Sequence, residues 1–188
     1  HDSTGVKDST GILIYSYRTA EVINNSIFKR RNYFTINKGS AEGVKLDMGV
    51  LTPDGIAGKI VNVSEHFSLA MSVLHEDFII TPKIDGRTIY GGMIWEGENP
   101  EELKINRVNA HYDIQTGDTV LTSSHSHFFP PNIVIGKVDR FQKTDDNYQE
   151  VWVKLSVDIG QIQGVYVVQN HFMEEVKKLE ELDENEPN

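Results

Sequence analysis

Along most of the chain, apolar positions come in short β-prone runs divided by turn residues, the pattern of a small barrel or sandwich. The runs Ile12–Tyr17, Ala20–Ile23, Tyr33–Asn37, Val50–Thr52, Ile56–Val63 and Leu69–Leu74 predict strands in the first part. Ile79–Ile84, Thr88–Trp95, Leu103–Val108, Thr119–Ser123, Val134–Gln142, Val151–Val157 and Val165–Gln169 predict the rest. The breaks carry turn chemistry: Lys38-Gly39-Ser40, Pro53-Asp54-Gly55, Asp85-Gly86, Gly117-Asp118 and Asp145-Asp146-Asn147. Val151, Val153, Leu155 and Val157 alternate with Trp152, Lys154 and Ser156, giving one apolar and one mixed face, as on a barrel wall.

Helical spacing occurs in the tail, where Phe172, Val176, Leu179 and Leu182 recur every three or four residues. That helix is Glu-rich and runs into Asp183–Asn188, so its end is expected to fray. A βαβ architecture needs several such helices, and the pattern offers one. The opening residues 1–11, with His1-Asp2-Ser3-Thr4-Gly5 and Asp8-Ser9-Thr10-Gly11, lack an apolar period and read as a disordered linker left at a cut end. Val50-Leu51-Thr52 with Gly58-Lys59-Ile60 is echoed by Val120-Leu121-Thr122 with Gly136-Lys137-Val138, a faint sign of two related units.

Charge narrows the function. With 28 acidic against 18 basic residues, a formal net of −10, the chain lacks the basic footprint of a nucleic-acid binder. It has no cysteine, which excludes disulfides, thiolate catalysis and Cys-based metal sites. No apolar run approaches a membrane span, so any anchor lies outside this segment.

Catalytic signatures with mechanism-fixed spacing, such as G-x-S-x-G, the P-loop, G-x-G-x-x-G, H-E-x-x-H and the EF-hand loop, are missing, and no cofactor is expected. His125 and His127 share a face if their segment is extended, and with His111 they are weak candidates for a metal set; the other reading is a polar loop. His75 beside Glu76 and Asp77 suggests either a triad fragment or a satisfied boundary histidine. Glu96 and Glu98 fit a carboxylate pair or a solvated hairpin tip. Lys29-Arg30-Arg31 is the basic cluster, either a site for an acidic partner or a charged loop. Phe128, Phe129 and Pro130 either plug a barrel end or form a contact patch.

The order of these pieces resembles the MreC family. Asn32–Ser40, Gly43-Val44, Met48-Gly49-Val50 and Gly55–Val61 match its first half. Gly91-Gly92 with Trp95, Gly117–Ser123, Phe129-Pro130 and Ile135–Val138 match its second, so that the likeness runs over about residues 14–170. Asn24-Asn25-Ser26, His75 and Trp95 incline it towards a Bacteroidetes-like branch. The chain departs from the pattern at Ser124, where Gly is usual, in the His125-Ser126-His127 insert, and at Pro131-Asn132, where another Gly is usual. Asn132 is the residue next most tolerant of positive φ.

The resemblance implies an all-β protein: two small six-stranded β-barrels of chymotrypsin-like topology, non-catalytic, with a short C-terminal helix. It divides the chain into barrel one at residues 12–76 plus 160–170, an inserted barrel two at 77–159, and a helix with acidic tail at 171–188. A coiled coil and a single transmembrane helix would precede it, placing the barrels on the periplasmic, extracytoplasmic face of the bacterial inner membrane. The implied role is a cell-shape scaffold that self-associates, as dimer or filament, and organises peptidoglycan elongation. Implied partners are the membrane protein MreD, a class B penicillin-binding protein and, indirectly, MreB. The expected contact residues are Ser124, His125, His127, Phe128, Phe129, Pro130 and Asn132. A divergent two-barrel hydrolase and a His-based metal module are the alternatives.

Overall fold

The computed structural model describes residues 4–144 and 147–184. The strands are β1 (Thr4–Lys7), β2 (Leu13–Asn25), β3 (Arg31–Ile36), β4 (Gly49–Thr52), β5 (Gly55–Val63), β6 (Ser68–His75) and β7 (Pro82–Ile84). They continue as β8 (Arg87–Thr88), β9 (Met93–Ile94), β10 (Glu102–Asn109), β11 (Thr119–Thr122), β12 (Val134–Lys143), β13 (Tyr148–Leu155) and β14 (Gly164–Asn170), before helix α1 (Met173–Glu184). Among the described residues no helix is long and apolar enough to cross a membrane.

The first sheet runs β1-β2-β14-β4-β5-β6-β3, and β3 pairs back onto β2, closing a six-stranded barrel with β1 as an added edge. Closure depends on the length of β2. Its Tyr15–Glu21 stretch pairs with β14, and its Val22–Asn25 end pairs with β3 after a register shift between Val22 and Asn24. Such a shift bends a strand and lets it serve neighbours in two directions. Phe34, Ile36, Val50, Ala57, Ile60, Ala70, Val165 and Val167 fill the barrel.

The second sheet runs β8-β7-β11-β12-β13-β10-β9 and lies in the chain between β6 and β14. It curls as a half-barrel whose margins meet at one bridge, where Ile80 and Met93 exchange backbone hydrogen bonds of 3.3 and 2.8 Å. Its core is continuous with apolar residues on the barrel: Leu51, Ile56, Val73 and Leu74 join Phe78, Trp95, Leu103, Ile105, Val151 and Val153 in one cluster. The barrel and the curled sheet therefore share buried surface, which couples their stability.

The echo between Val50-Leu51-Thr52 and Val120-Leu121-Thr122 is a repeated hairpin. In β4–β5, Gly49 opposes Lys59, Val50 opposes Gly58 and Leu51 opposes Ile56. In β11–β12, Thr119 opposes Lys137, Val120 opposes Gly136 and Leu121 opposes Val134, with the register shift after the same valine. Gly58 and Gly136 are required by close approach: a Cβ on either would run into a backbone carbonyl of the next strand, Met71 or Lys154.

Four expectations change. Residues 1–11 are not wholly linker. Thr4–Lys7 pairs with β2, because the Leu13–Tyr17 edge offers backbone groups that Thr4 and Val6 can meet. The Asp8–Gly11 stretch is the hairpin turn, with Asp8 Oδ1 accepting from Thr10 N–H at 2.8 Å and Ile12 N–H at 2.9 Å. Second, Ile12–Tyr17 and Ala20–Ile23 are parts of one strand, β2. Third, Thr88–Trp95 breaks into β8 and β9 around Gly91-Gly92, with Gly92 at φ 69°. Fourth, Ile79–Ile84 shortens to β7 with the bridge at Ile80. Asp145 and Asp146 of the predicted turn, residues 1–3 and 185–188, and the Leu182 side chain lie outside the described residues.

Candidate interaction loop and the family it belongs to

The connection between β11 and β12, residues 123–133, carries the residues the sequence singles out. It is anchored from below. Ser123, fully buried, donates its hydroxyl to the Thr81 carbonyl at 2.8 Å. Thr122 donates to the Pro130 carbonyl at 2.6 Å, and its hydroxyl accepts from Ile133 N–H at 2.9 Å, drawing the two ends of the loop together. Asn132 N–H bonds the Thr122 carbonyl at 2.9 Å. Asn132 sits at φ 68°, the left-handed conformation that its replacement of Gly demands. Lys83 Nζ donates to its side-chain carbonyl.

Phe129 and Pro130 are buried, Phe129 to 1% exposure, so they hold the loop and offer nothing to a partner. The Phe129 ring lies 6.5 Å from that of Phe78 and against Gly49 of β4, where a Cβ would come within 2.8 Å of it. Gly49 is thus the seat on which the loop crosses onto the barrel. Phe128 is half-buried with the Lys59 ammonium 4.3 Å from its ring centre. Ser124, His125, His127 and Asn132 are exposed.

The histidines do not assemble. Residues 124–129 turn instead of extending, with Ser126 N–H on the Ser123 carbonyl at 3.2 Å, so His125 and His127 diverge. His125 shares a 3.2 Å hydrogen bond with Tyr90, and His127 lies 3.8 Å from Glu180 on α1. His111 stacks on Tyr112. Among the described residues no group of three His, Asp or Glu side chains is placed to hold a metal ion.

The other candidates are also tied into the fold. His75, 1% exposed, contacts the Tyr33 hydroxyl through Nε2 at 3.0 Å and accepts Asp77 N–H at Nδ1 at 3.0 Å. Burial lowers its pKa, which favours the neutral ring. Glu96 accepts from Lys104 at 2.9 Å, Lys104 also reaches Glu150 at 3.1 Å, and no carboxylate pair forms with Glu98. Arg31 and Arg30 bond Glu76 through their Nε atoms at 2.8 and 3.1 Å; these contacts, Arg31 first, hold the Glu76 carboxyl below its ordinary range.

Sequence reasoning missed Thr122, Ser123 and Gly49 as anchors of the loop. Thr122 and Ser123 read as the end of a strand, and only the long-range contacts to Thr81 and Pro130 give them a separate task.

A closed barrel sharing its core with a curled half-barrel, and crossed by a loop anchored on both, defines a two-part all-β barrel module. The profile of the rod shape-determining protein MreC, barrel core, matches residues 22–169, and the chain belongs to that family. The cell shape-determining protein MreC of Streptococcus pneumoniae is 29% identical over 156 residues, covering 80% of this chain and 57% of the relative. The chain thus spans a little over half the length of that relative. The solved major periplasmic domain of the cell shape-determining filament MreC is 27% identical, with TM-score 0.71 over 85% of this chain and 98% of the other. The MreC of a complex with penicillin-binding protein PBP2 from Helicobacter pylori shares the fold at 16% identity, with TM-score 0.65 over 84% of this chain and 99% of the other. The family and the pneumococcal relative are both named for determining cell shape.

Proposed function

We propose that this chain is the extracytoplasmic barrel module of a cell-shape scaffold that binds a class B penicillin-binding protein and helps to organise peptidoglycan elongation. The observation that carries the reading is the loop at 123–133. Its buried anchors, Thr122, Ser123, Phe129 and Pro130, fix a short exposed platform of Ser124, His125, His127 and Asn132 with the edge of Phe128. Pre-organised polar loops of this kind bind without the entropy cost of ordering. Support for the partner class comes from the related MreC of the Helicobacter pylori complex, and for the periplasmic location from the related periplasmic domain.

On this reading residues 12–76 with 160–170 form one barrel unit and 77–159 the inserted one. The intact protein self-associates and is held at the inner membrane by a helix outside this sequence. MreD is a further partner and MreB an indirect one.

The test is affinity for the class B penicillin-binding protein of the source bacterium, measured by surface plasmon resonance. The double variant His125→Ala/His127→Glu is expected to weaken binding by roughly tenfold, the effect of losing a central contact, with thermal stability unchanged. Unchanged affinity would remove the loop from the interface.

A further inference from the structure

A second exposed feature belongs to no part of that reading. The tip between β2 and β3 presents Phe28 at 94% exposure, beside Lys29, Arg30 and Arg31. A phenyl ring left almost wholly in water forgoes burial worth about 2 kcal/mol or more. The tip is nevertheless rigidly built. Buried Asn32 donates to the carbonyls of Lys29 at 2.6 Å and Leu74 at 2.7 Å, and accepts from the Ser26 hydroxyl and Lys29 N–H, both at 3.0 Å. Ile27 packs inward against the shared core, which sends its neighbour Phe28 outward.

The two arginines are fixed as well. Glu76 takes the Nε of each, and Gly97 lies under Arg30, where an added Cβ would meet the guanidinium at 3.6 Å. Both side chains keep about two-thirds or more of their exposure, 72% for Arg30 and 66% for Arg31. Their Nη forks are thus oriented by the fold and open to solvent. Glu76 and its neighbour Asp77 are outnumbered by Lys29, Arg30 and Arg31, so the tip is a positive point on a chain of net charge −10.

We propose that this tip docks an acidic surface of another protein, Phe28 entering an apolar pocket while the forks of Arg30 and Arg31 meet carboxylates at its rim. Aromatic and arginine side chains on a pre-organised loop are the residue types that dominate binding energy at interfaces. Two other occupants fit less well. An anionic bilayer would attract the tip and repel the rest of so acidic a chain. A second copy offers two grooves of comparable size. One, of about 510 Å³ beside Tyr166, has a lining carboxylate, Glu21, that accepts from Asn37 and shares the groove with Lys38. The other, of about 460 Å³ between α1, the 45–48 turn and Phe128, has a lining carboxylate, Asp47, already paired with Lys177.

The test places the photo-crosslinker p-benzoylphenylalanine at position 28 of the intact, membrane-held protein in its own bacterium, with the same probe at Phe67 as control. The expected result is one protein adduct specific to position 28, mapped by mass spectrometry to a carboxylate-rich segment. Its yield should fall roughly tenfold in Lys29→Glu, which leaves the Glu76 pairs intact, and in Arg30→Glu/Arg31→Glu, with expression unchanged. Reversing the mapped carboxylates to lysine should restore the adduct to the charge-reversed protein. A phospholipid adduct, an adduct to a second copy, a segment without carboxylates, no adduct, or indifference to charge reversal would each overturn the proposal.

Discussion

His75 illustrates how a polar residue becomes part of a core. Both ring nitrogens are satisfied, by the Tyr33 hydroxyl and by Asp77 N–H, and the tautomer follows: Nδ1 accepts, so Nε2 carries the proton towards Tyr33. Burial holds its folded pKa below the ordinary 6.5. The unfolded chain therefore binds a proton more readily than the folded one. The contribution of His75 is complete above about pH 6.5 and is lost as pH falls from there through the folded value, with a slope of up to about 1.4 kcal/mol per pH unit. Urea denaturation across pH 5 to 8 should show this slope in the parent and a flatter profile in His75→Gln; equal profiles would mean that the ring does not resist protonation. At this scale the sequence was informative where chemistry is local. Asn132 could be placed at a left-handed position because Asn is the usual substitute for Gly there, and its φ of 68° agrees. The exposure of Phe28 was not legible, since which of Ile27 and Phe28 turns inward depends on Asn32 reaching across to the Leu74 carbonyl.

Elements were legible in proportion to their length and alternation. β10, β12 and β13 stand within a few residues of their predicted bounds, because long alternating runs bury one face wherever they lie. β1 was hidden because four residues carry too little pattern, and its pairing is dictated by the edge of β2. The repeated hairpin was half visible: the sequence holds the shared residues, but the common register and shift appear only when Val50 faces Gly58 and Val120 faces Gly136. Equivalent positions should respond equivalently. Gly58→Ala and Gly136→Ala are each expected to cost about 1–3 kcal/mol, since each Cβ meets a carbonyl that cannot move without opening its strand pair. Thermal melts of the two variants check this, and a cost at only one position would show that the hairpins are not interchangeable.

In the whole molecule, the barrel and the curled sheet are joined through one apolar cluster, with Phe129 wedged between Phe78 and Gly49. Phe129→Ala should cost about 3–5 kcal/mol. The two tryptophans, Trp95 and Trp152, lie in the second sheet's part of the chain, whereas far-ultraviolet circular dichroism reports both sheets. The two signals should give coincident unfolding transitions in the parent, as a shared core requires. Their separation in Phe129→Ala would show that this ring couples the two halves; separation already in the parent would sink the idea of a common core.

The adjacency of β2 and β14 has a mechanical meaning. Tyr15 pairs with Asn170 and Ala20 with Val165, so the chain enters and leaves the barrel at the same end, on neighbouring antiparallel strands. Force applied through flanking segments, once β1 has peeled from its edge, loads the β2–β14 ladder one rung at a time, as in opening a zip, and not all rungs together in shear. The second sheet, looped between β6 and β14, stays outside the load path until β14 has gone. Under such a load the module yields softly at its base while the second sheet, carried farther along the chain, keeps its shape.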